Sequence, residues 1–527
     1  LLLSWLFIAG AAAARGADSD RIVPGTVPHV PALLSAQFFQ RPDVPLIEVT
    51  ISEADLKTLD KAPREYVKAT VREGGRTFRE VGVHLKGGIS SFEPVDSKPA
   101  LTLNFDRFLK GQSFHGLDKL HLNNCFEDST YMREVLATGI FRAAGVPTPR
   151  AINARVKLNG RDLGVYVLKE GFDRTFLKQH FPNPDGAIYD SGTVQDIDQL
   201  TPSPSGGRLT VAGNLRAVWD AAHEADPGKR WQRLGTVLDL DRFITFIAVE
   251  ALVGHCDGYA MTGNNYRVYH DPATRRFVFM PTGMDQAFNA NCDFYPEDGG
   301  FVAEAVVKTP EGRRRYDERL EQLIRNHWDG PGLVRRVREL QKALRPLVDP
   351  ELSDSYDDDV ASLIAEIEEL SRMLASHAAQ LRALPNFGPN DAAPLRGWSA
   401  RRPRDRTRLE TEEQSGRHLL AIATGPEGEG GSWGLKVCLA RGRYRFEGKA
   451  RTHEVATLRN RRAGACLRVA SAGESARLSG SQPWTQLGVE WEVEDWIEEF
   501  DLRCELTGAR GQCWFDLQSL RIVRLSH

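Results

Sequence analysis

The sequence predicts an α+β protein that ends in an all-β domain, and three observations carry that prediction. Between residues 46 and 105 apolar residues recur at every second position, the period of half-buried strands. From Arg313 to Leu384 the pattern becomes helical. After a Pro- and Arg-rich stretch at 386–408 the period returns to two and stays there to the end, in short runs separated by turn residues. That last pattern is the signature of a β-sandwich of jelly-roll type. At 527 residues the chain exceeds one ordinary core, so two or three domains are expected.

Composition narrows the class. Hydrophobic residues make up 41% and charged residues 26%, with a formal net charge of -3. This is the profile of a soluble globular chain, with no basic excess that would draw nucleic acid or an anionic membrane. Residues 1–17 read as a signal peptide with a truncated start: Leu1 to Ala14 is apolar and ends in small residues, and Arg15 begins a polar stretch. The run is too short to span a bilayer, and no other run qualifies, so an exported protein without an integral membrane segment in the mature chain is expected. The protein holds seven cysteines at spacings that match no zinc motif. Four of them (Cys438, Cys466, Cys504 and Cys513) lie in the last ninety residues, where one or two disulfides are expected.

The elements follow in order. Residues 18–45 form a Pro-rich leader. Strands are expected at 46–51, 69–72, 80–86 and 100–105, with a Gly/Ser turn at 87–91. Asp128-Ser129 is a helix N-cap before Tyr131 to Ala144, and Gly145 ends that helix. Asn159-Gly160 between apolar runs signals a type I′ hairpin of 152–158 with 164–168. A short helix at 175–180 and a polar loop at 191–215 come next. Leu238 to Val253 is apolar over much of its surface and reads as a buried helix. A second hairpin pairs 266–269 with 277–280, and the helices that follow break at Asp329-Gly330-Pro331-Gly332. The stretch 386–408 is expected to be a linker, and 409–527 the β-sandwich.

Two short runs carry the chemistry. The first is Gly254-His255-Cys256-Asp257-Gly258 followed by Asn264-Asn265-Tyr266; the second is Thr282-Gly283-Met284-Asp285. Phosphoryl transfer needs one carboxylate near the attacking hydroxyl, and an Asn with a second Asp to hold metal on the phosphates. The order matches a protein kinase, whereas the distance from Asp257 to Asn264 or Asn265 exceeds the usual kinase spacing. Asp257 alone also reads as ordinary Asp-Gly turn chemistry, the Asn pair as a strand-opening turn, and Asp293 as a rival to Asp285. Upstream, Lys86, Gly87, Gly88, Ser90, Ser91 and Lys98 form a candidate phosphate loop, or a plain hairpin turn with solvated lysines. Glu134 could brace such a lysine, and its neighbour Arg133 could contact phosphate or a carboxylate; a solvated helix face serves equally. Glu170 stands at a hairpin end where a hinge to a second lobe would fall.

Taken together these pieces resemble the CotH (spore coat protein H) family of atypical secreted protein kinases over roughly residues 46–385. The parts that carry the resemblance are Leu85 to Ser91; Leu120 to Asn124 with Asp128 and Arg133-Glu134; Gly145 to Pro149; Asn159-Gly160 with Gly164-Val165-Tyr166 and Glu170; His255 to Asp257 with Asn264-Asn265-Tyr266; and Met284-Asp285. The resemblance implies a two-lobed kinase-like fold binding ATP with Mg2+ or Mn2+, and a protein Ser or Thr as acceptor. It places the catalytic role on Asp257 and metal binding on Asp285 with Asn264 or Asn265. Phosphate pairing falls to Lys98, or less readily Lys86. Three departures stand out: Lys86 where the family often has Arg, Asp190 where it often has Lys, and Gly283 where a Trp-Asp-x-Asp run supplies an acidic residue. The third makes an inactive kinase-like scaffold the alternative.

Residues 409–527 loosely resemble carbohydrate-binding β-sandwich modules, through Gly511 to Asp516 and Leu520 to Val523. Trp433, Trp484, Trp491, Trp496 and Trp514 are abundant for that length, and an exposed Trp stacks on sugar rings. Glycan or cell wall is therefore a candidate partner of this region.

Overall fold

The computed structural model describes residues 30–88, 91–190, 195–202, 214–401, 407–425, 430–456, 463–507 and 510–525. The expected signal peptide, residues 18–29 of the leader, Ser90, and most of the 191–215 loop lie outside the described residues. The chain divides into two compact units: Leu1–Asn124 with Pro149–Phe176, and Cys125–Thr148 with Leu177–His527.

The first unit contains α1 (Val30–Phe39), β1 (Leu46–Ile51), α2 (Glu53–Lys61), β2 (Val67–Glu73), β3 (Arg76–Lys86), β4 (Ala100–Asn104) and β5 (Lys119–Asn123). After the excursion of α3 (Arg133–Ala143) into the second unit, it takes up β6 (Ala151–Leu158) and β7 (Arg161–Glu170). The seven strands close into a barrel in the order β1-β2-β3-β4-β5-β7-β6, antiparallel except for the parallel seam of β1 on β6. Alternation fills its interior with Val49, Val71, Val83, Leu103, Leu122 and Leu168, all essentially inaccessible. The Asn159-Gly160 turn has positive φ at both residues (50° and 81°), as a type I′ turn requires. The Asn159 amide also bonds both backbone groups of Ile51, which fixes the turn to β1.

In the second unit, α3 starts two residues later than the sequence suggests. Met132 occupies the N-cap position, and Asp128 serves the first turn from outside by accepting from Arg133 N at 2.9 Å. Then come α4 (Arg174–His180), which crosses from the first unit, β8 (Ile188–Asp190), β9 (Thr201–Pro202), α5 (Leu215–Ala222), α6 (Pro227–Val237), α7 (Leu240–Leu252), α8 (Tyr259–Thr262), β10 (Tyr266–Asp271) and β11 (Arg276–Pro281). The expected helix from Leu238 is thus α7 alone. Leu238 leaves α6 in extended backbone, and the Asp239 carboxylate caps α7 through Arg242 N. A four-stranded sheet runs β11-β10-β8-β9. The helices α9 (Phe301–Val307), α10 (Pro310–His327), α11 (Gly330–Leu344) and α12 (Ser353–Ala383) follow, with the expected break capped by Asp329.

The C-terminal strands are β12 (Ala392–Pro394), β13 (Ser399–Arg401), β14 (Thr407–Gln414), β15 (Arg417–Thr424), β16 (Gly430–Val455), β17 (Gly464–Val469), β18 (Gly473–Glu474), β19 (Gly480–Thr507), β20 (Gly511–Asp516) and β21 (Arg521–Leu525). They form one ten-stranded hydrogen-bonded network around a single apolar core. Several runs that read as separate strands merge into β16 and β19, which shift register at bulges instead of breaking. The stretch expected as a linker contributes β12 and β13, paired with β21 and β16. No disulfide joins the C-terminal cysteines: Cys438, Cys466, Cys504 and Cys513 are free, contrary to expectation. The disulfide among the described residues links Cys256 to Cys292. No helix among those residues is long and apolar enough to cross a membrane.

Candidate functional site

The site in the second unit is built outward from α7, whose residues Phe243 to Leu252 are all buried. Gly254 turns the chain off the helix at φ 56°, and a Cβ there would lie 2.4 Å from Asn289 O, so only glycine fits. The next fixed point is Glu250. Its two carboxylate oxygens accept from Tyr259 N (2.9 Å) and Ala260 N (2.8 Å), capping the single turn α8 in place of the N-cap residue Gly258. Burial pushes the Glu250 carboxyl up to about 8, against the pull of those two donors. The loop bearing Asp257 is thereby held at both ends.

Asp257 is half-buried, and both asparagines converge on it. Asn264 Nδ2 lies 3.1 and 3.2 Å from its two carboxylate oxygens. Asn265 Nδ2 donates to Asp257 Oδ2 at 2.5 Å and to its carbonyl at 2.9 Å. Asn265 adopts φ 53°, and its carbonyl accepts from Thr282 N at 2.9 Å, which brings the end of β11 alongside. The amide oxygen of Asn265 faces Gly283: a Cβ at that glycine, whose φ is 55°, would lie 2.2 Å from it. Gly283 thus leaves room for the Asn265 amide.

Asp285 follows, half-buried. Burial, then the negative charges of Glu134, Glu127 and Asp128, push its carboxyl up to about 7. The rival Asp293 is exposed. Glu134 is itself buried on α3. Its neighbour Arg133 bonds the Ala287 carbonyl (2.6 Å) and pairs with Glu366 of α12 (2.7 Å). Asp190 is paired across the sheet with Arg267 at 2.6 Å. Among the described residues no three His, Cys, Asp or Glu side chains gather into a cation cage. The Asp285 carboxylate and the asparagine amide oxygens are hard oxygens of the kind that Mg2+ or Mn2+ takes, and a cation bound at Asp285 would offset the like charges of Glu134, Glu127 and Asp128 around it.

In the first unit, Lys86 Nζ donates to Asn123 Oδ1, and Lys98 Nζ sits 5.3 Å from the Tyr166 ring centroid. Gly87 has φ 125°, and a Cβ there would lie 2.7 Å from Ser91 O. Gly88 N donates to Ser91 Oγ at 3.0 Å, and a Cβ at Gly88 would meet nothing closer than 3.9 Å. Glu170 is buried and bonded by Arg150 through two guanidinium contacts of 2.7 and 3.1 Å, so it serves as half of an internal ion pair at the end of β7. Sequence reasoning missed Glu250 and Cys292. The signal for Glu250 was present: one carboxylate inside the apolar run from Phe243 to Val253.

Of the tryptophans in the β-domain, Trp433 and Trp491 are buried core residues. Trp484 and Trp514 are half-buried with the Arg451 guanidinium 5.1 and 4.5 Å from their rings, and Trp514 Nε1 donates to Glu412 at 3.0 Å.

The chain belongs to the CotH kinase protein family, whose model matches residues 83–380, more than half of its length. It is 23% identical over 301 residues to the inner spore coat protein H of Bacillus subtilis, covering 52% of this chain and 82% of that protein. It is also 23% identical over 261 residues to invasin CotH2 of Rhizopus delemar, covering 43% of this chain and 44% of that protein. The C-terminal region is similar to the CBM22-1 xylan-binding domain of Xyn10C from Paenibacillus barcinonensis, at 18% identity over 25% of this chain and 89% of that one. It is similar too to TmCBM61, solved with beta-1,4-galactotriose, at 15% identity over 27% of this chain and 99% of that one. Both matches have a TM-score of 0.18, which assigns no function.

Proposed function

We propose that the chain is a protein kinase acting outside the cytoplasm, moving the γ-phosphoryl group of ATP to a Ser or Thr hydroxyl of a protein. The observation that supports this best is the convergence of Asn264 and Asn265 on Asp257, with Gly283, just past the β10–β11 hairpin, against the Asn265 amide oxygen. Asp257 would accept the hydroxyl proton as the acceptor oxygen bonds to the γ-phosphorus and the bond to the bridging oxygen of ADP breaks. The two asparagine amides hold that carboxylate in one orientation. Asp285, with an asparagine oxygen, would hold Mg2+ or Mn2+, which when bound neutralises charge on the β- and γ-phosphates. Lys98 or Lys86 would pair with the phosphates beside the Gly87–Gly88 backbone. Location outside the cytoplasm agrees with the names of the relatives, a spore coat protein and an invasin.

The test is Asp257→Asn. It should cut ATP-dependent phosphorylation by roughly 10²–10⁴-fold and shift the melting temperature by no more than about 2 °C. Full activity in that variant overturns the proposal. A second reading, an inactive scaffold whose β-domain binds glycan, is favoured by Gly283 in place of an acidic residue and by the Trp484–Arg451–Trp514 row. Glycan-array binding without any thermal shift from ATP plus Mg2+ or Mn2+ would select it, because a ligand that binds the folded state alone must raise stability.

A further inference from the structure

The segment from Phe288 to Val302 wraps the Asp257 loop and is attached to it at both ends. Phe288 N donates to Val253 O at 2.6 Å, and Asn289 N to Gly254 O at 3.1 Å. Cys292 is joined to Cys256, the residue before Asp257. At the far end Gly300 N donates to Ala260 O at 3.2 Å, and Val302 N to the Tyr259 hydroxyl at 3.1 Å. Gly299 and Gly300 pack so tightly there that a Cβ on either would lie 2.2 Å from Ala260 O or 2.4 Å from Tyr259 O.

The middle of this strap is held by the β-domain. Tyr295 is buried and stacked on Trp496 of β19, with ring centroids 4.8 Å apart and planes 20° from parallel. Arg313 of α10 covers both rings, 4.0 Å from the Tyr295 centroid and 4.8 Å from that of Trp496, and its Nη2 donates to Trp496 O at 3.0 Å. Asp317 completes the joint by pairing with Arg313 at 2.8 Å and accepting from the Tyr295 hydroxyl at 2.8 Å. Glu297 meets Arg441 of β16 at 2.8 Å. Two β-domain side chains therefore grip the covalently attached cover of the Asp257 loop.

We propose that Trp496 is a positioning residue for Asp257, acting through the 288–302 strap, so that the β-domain is a working part of the site. The name "site" rests on the function proposed above; the mechanical coupling does not. The experiment is hydrogen–deuterium exchange on the full chain, comparing wild type with Trp496→Ala and Trp496→Phe. In the Ala variant, amides of 254–263 should exchange about tenfold faster or more, while those of β1–β7 are unchanged; the Phe variant, which keeps a stacked ring, should restore protection. Unchanged exchange at 254–263 in the Ala variant overturns the proposal. Should that variant fail to fold, Arg313→Lys, which keeps the charge facing Asp317 and removes the guanidinium contact with Trp496 O, decides by the same amides. In transfer assays the Ala variant should lose kcat about tenfold with KM for ATP unchanged, and the Phe variant should recover it; an unchanged kcat counts against the positioning role. A wild-type chain that transfers no phosphate overturns the kinase reading, and the exchange result still decides the coupling.

Discussion

The glycine turn after β3 and the glycine turn after α7 are held in opposite ways. The first, at Gly87–Gly88, is fixed through hydrogen bonds on its backbone: Arg64 bonds the Leu85 and Gly87 carbonyls, Ser91 Oγ accepts from Gly88 N, and Gly88 has open space where a side chain would be. The second, from Gly254 to Asn265, is tied by a buried carboxylate, a disulfide, two asparagines and the backbone of 288–289. The difference suits the roles proposed for them. A loop that takes up phosphate offers backbone N–H groups and room, whereas a carboxylate that receives a proton must be aimed, and a misplacement of about 1 Å costs on the order of 10²-fold in rate.

The largest break in the comparison should come from the disulfide. It closes a loop with a sequence separation of 36 that contains Asp257, Asn264, Asn265, Gly283 and Asp285. Chain-entropy arguments put its contribution at about 4 kcal/mol. Cys256→Ser with Cys292→Ser should lower unfolding stability in urea by roughly that amount, and faster exchange should be confined to the second unit. No bond of this kind ties down the Gly87–Gly88 turn, whose amides should exchange as before.

A finer break sets one glycine against another. Gly254→Ala places a Cβ 2.4 Å from Asn289 O at φ 56°, so either the turn or the strap must move, and a cost of about 2–4 kcal/mol is expected. Gly88→Ala meets nothing closer than 3.9 Å, and its stability should stay within about 0.5 kcal/mol of wild type. Equal costs in thermal unfolding would show that the two turns are braced alike.

What was legible in the sequence divides along the same line. Local rules gave six of the seven barrel strands (β5 was missed), the Asn159–Gly160 turn, the β10–β11 hairpin and the grouping of Asp257 with Asn264 and Asn265, because alternation, turn chemistry and motif order are written in neighbouring residues. The bracing was not legible, because it is made by residues far apart in sequence. Glu250 looks like a stray charge until α8 supplies two N–H groups, and Cys292 looks unpaired until the strap returns to Cys256. The Pro- and Arg-rich 386–408 segment reads as a linker since its short strands are specified by their partners β16 and β21, not by their own pattern. No element was expected over 216–237, where α5 and α6 form, with α6 started by Asp226 and Pro227.

The smallest effect expected is a slope in pH, and it isolates Glu250. Its carboxyl is raised from 4.5 to about 8 in the folded chain. A group raised in this way binds its proton more tightly folded than unfolded, so its contribution is fully present below about pH 4.5 and is lost as pH rises through about 8. Asp285 and Asp173, both pushed up to about 7, act in the same sense, so the slope of the wild type alone does not single out one residue. Glu250→Gln removes only its own proton from the balance while keeping an acceptor for one of the two N–H groups of α8. The stability of wild type minus that of this variant, from urea unfolding at pH 5, 6, 7 and 8, should therefore fall steadily toward pH 8. A difference that grows with pH would mean that the two backbone donors outweigh burial and hold Glu250 as a carboxylate, in which case the Asp257 loop is capped by a charge and not by a proton-bearing acid.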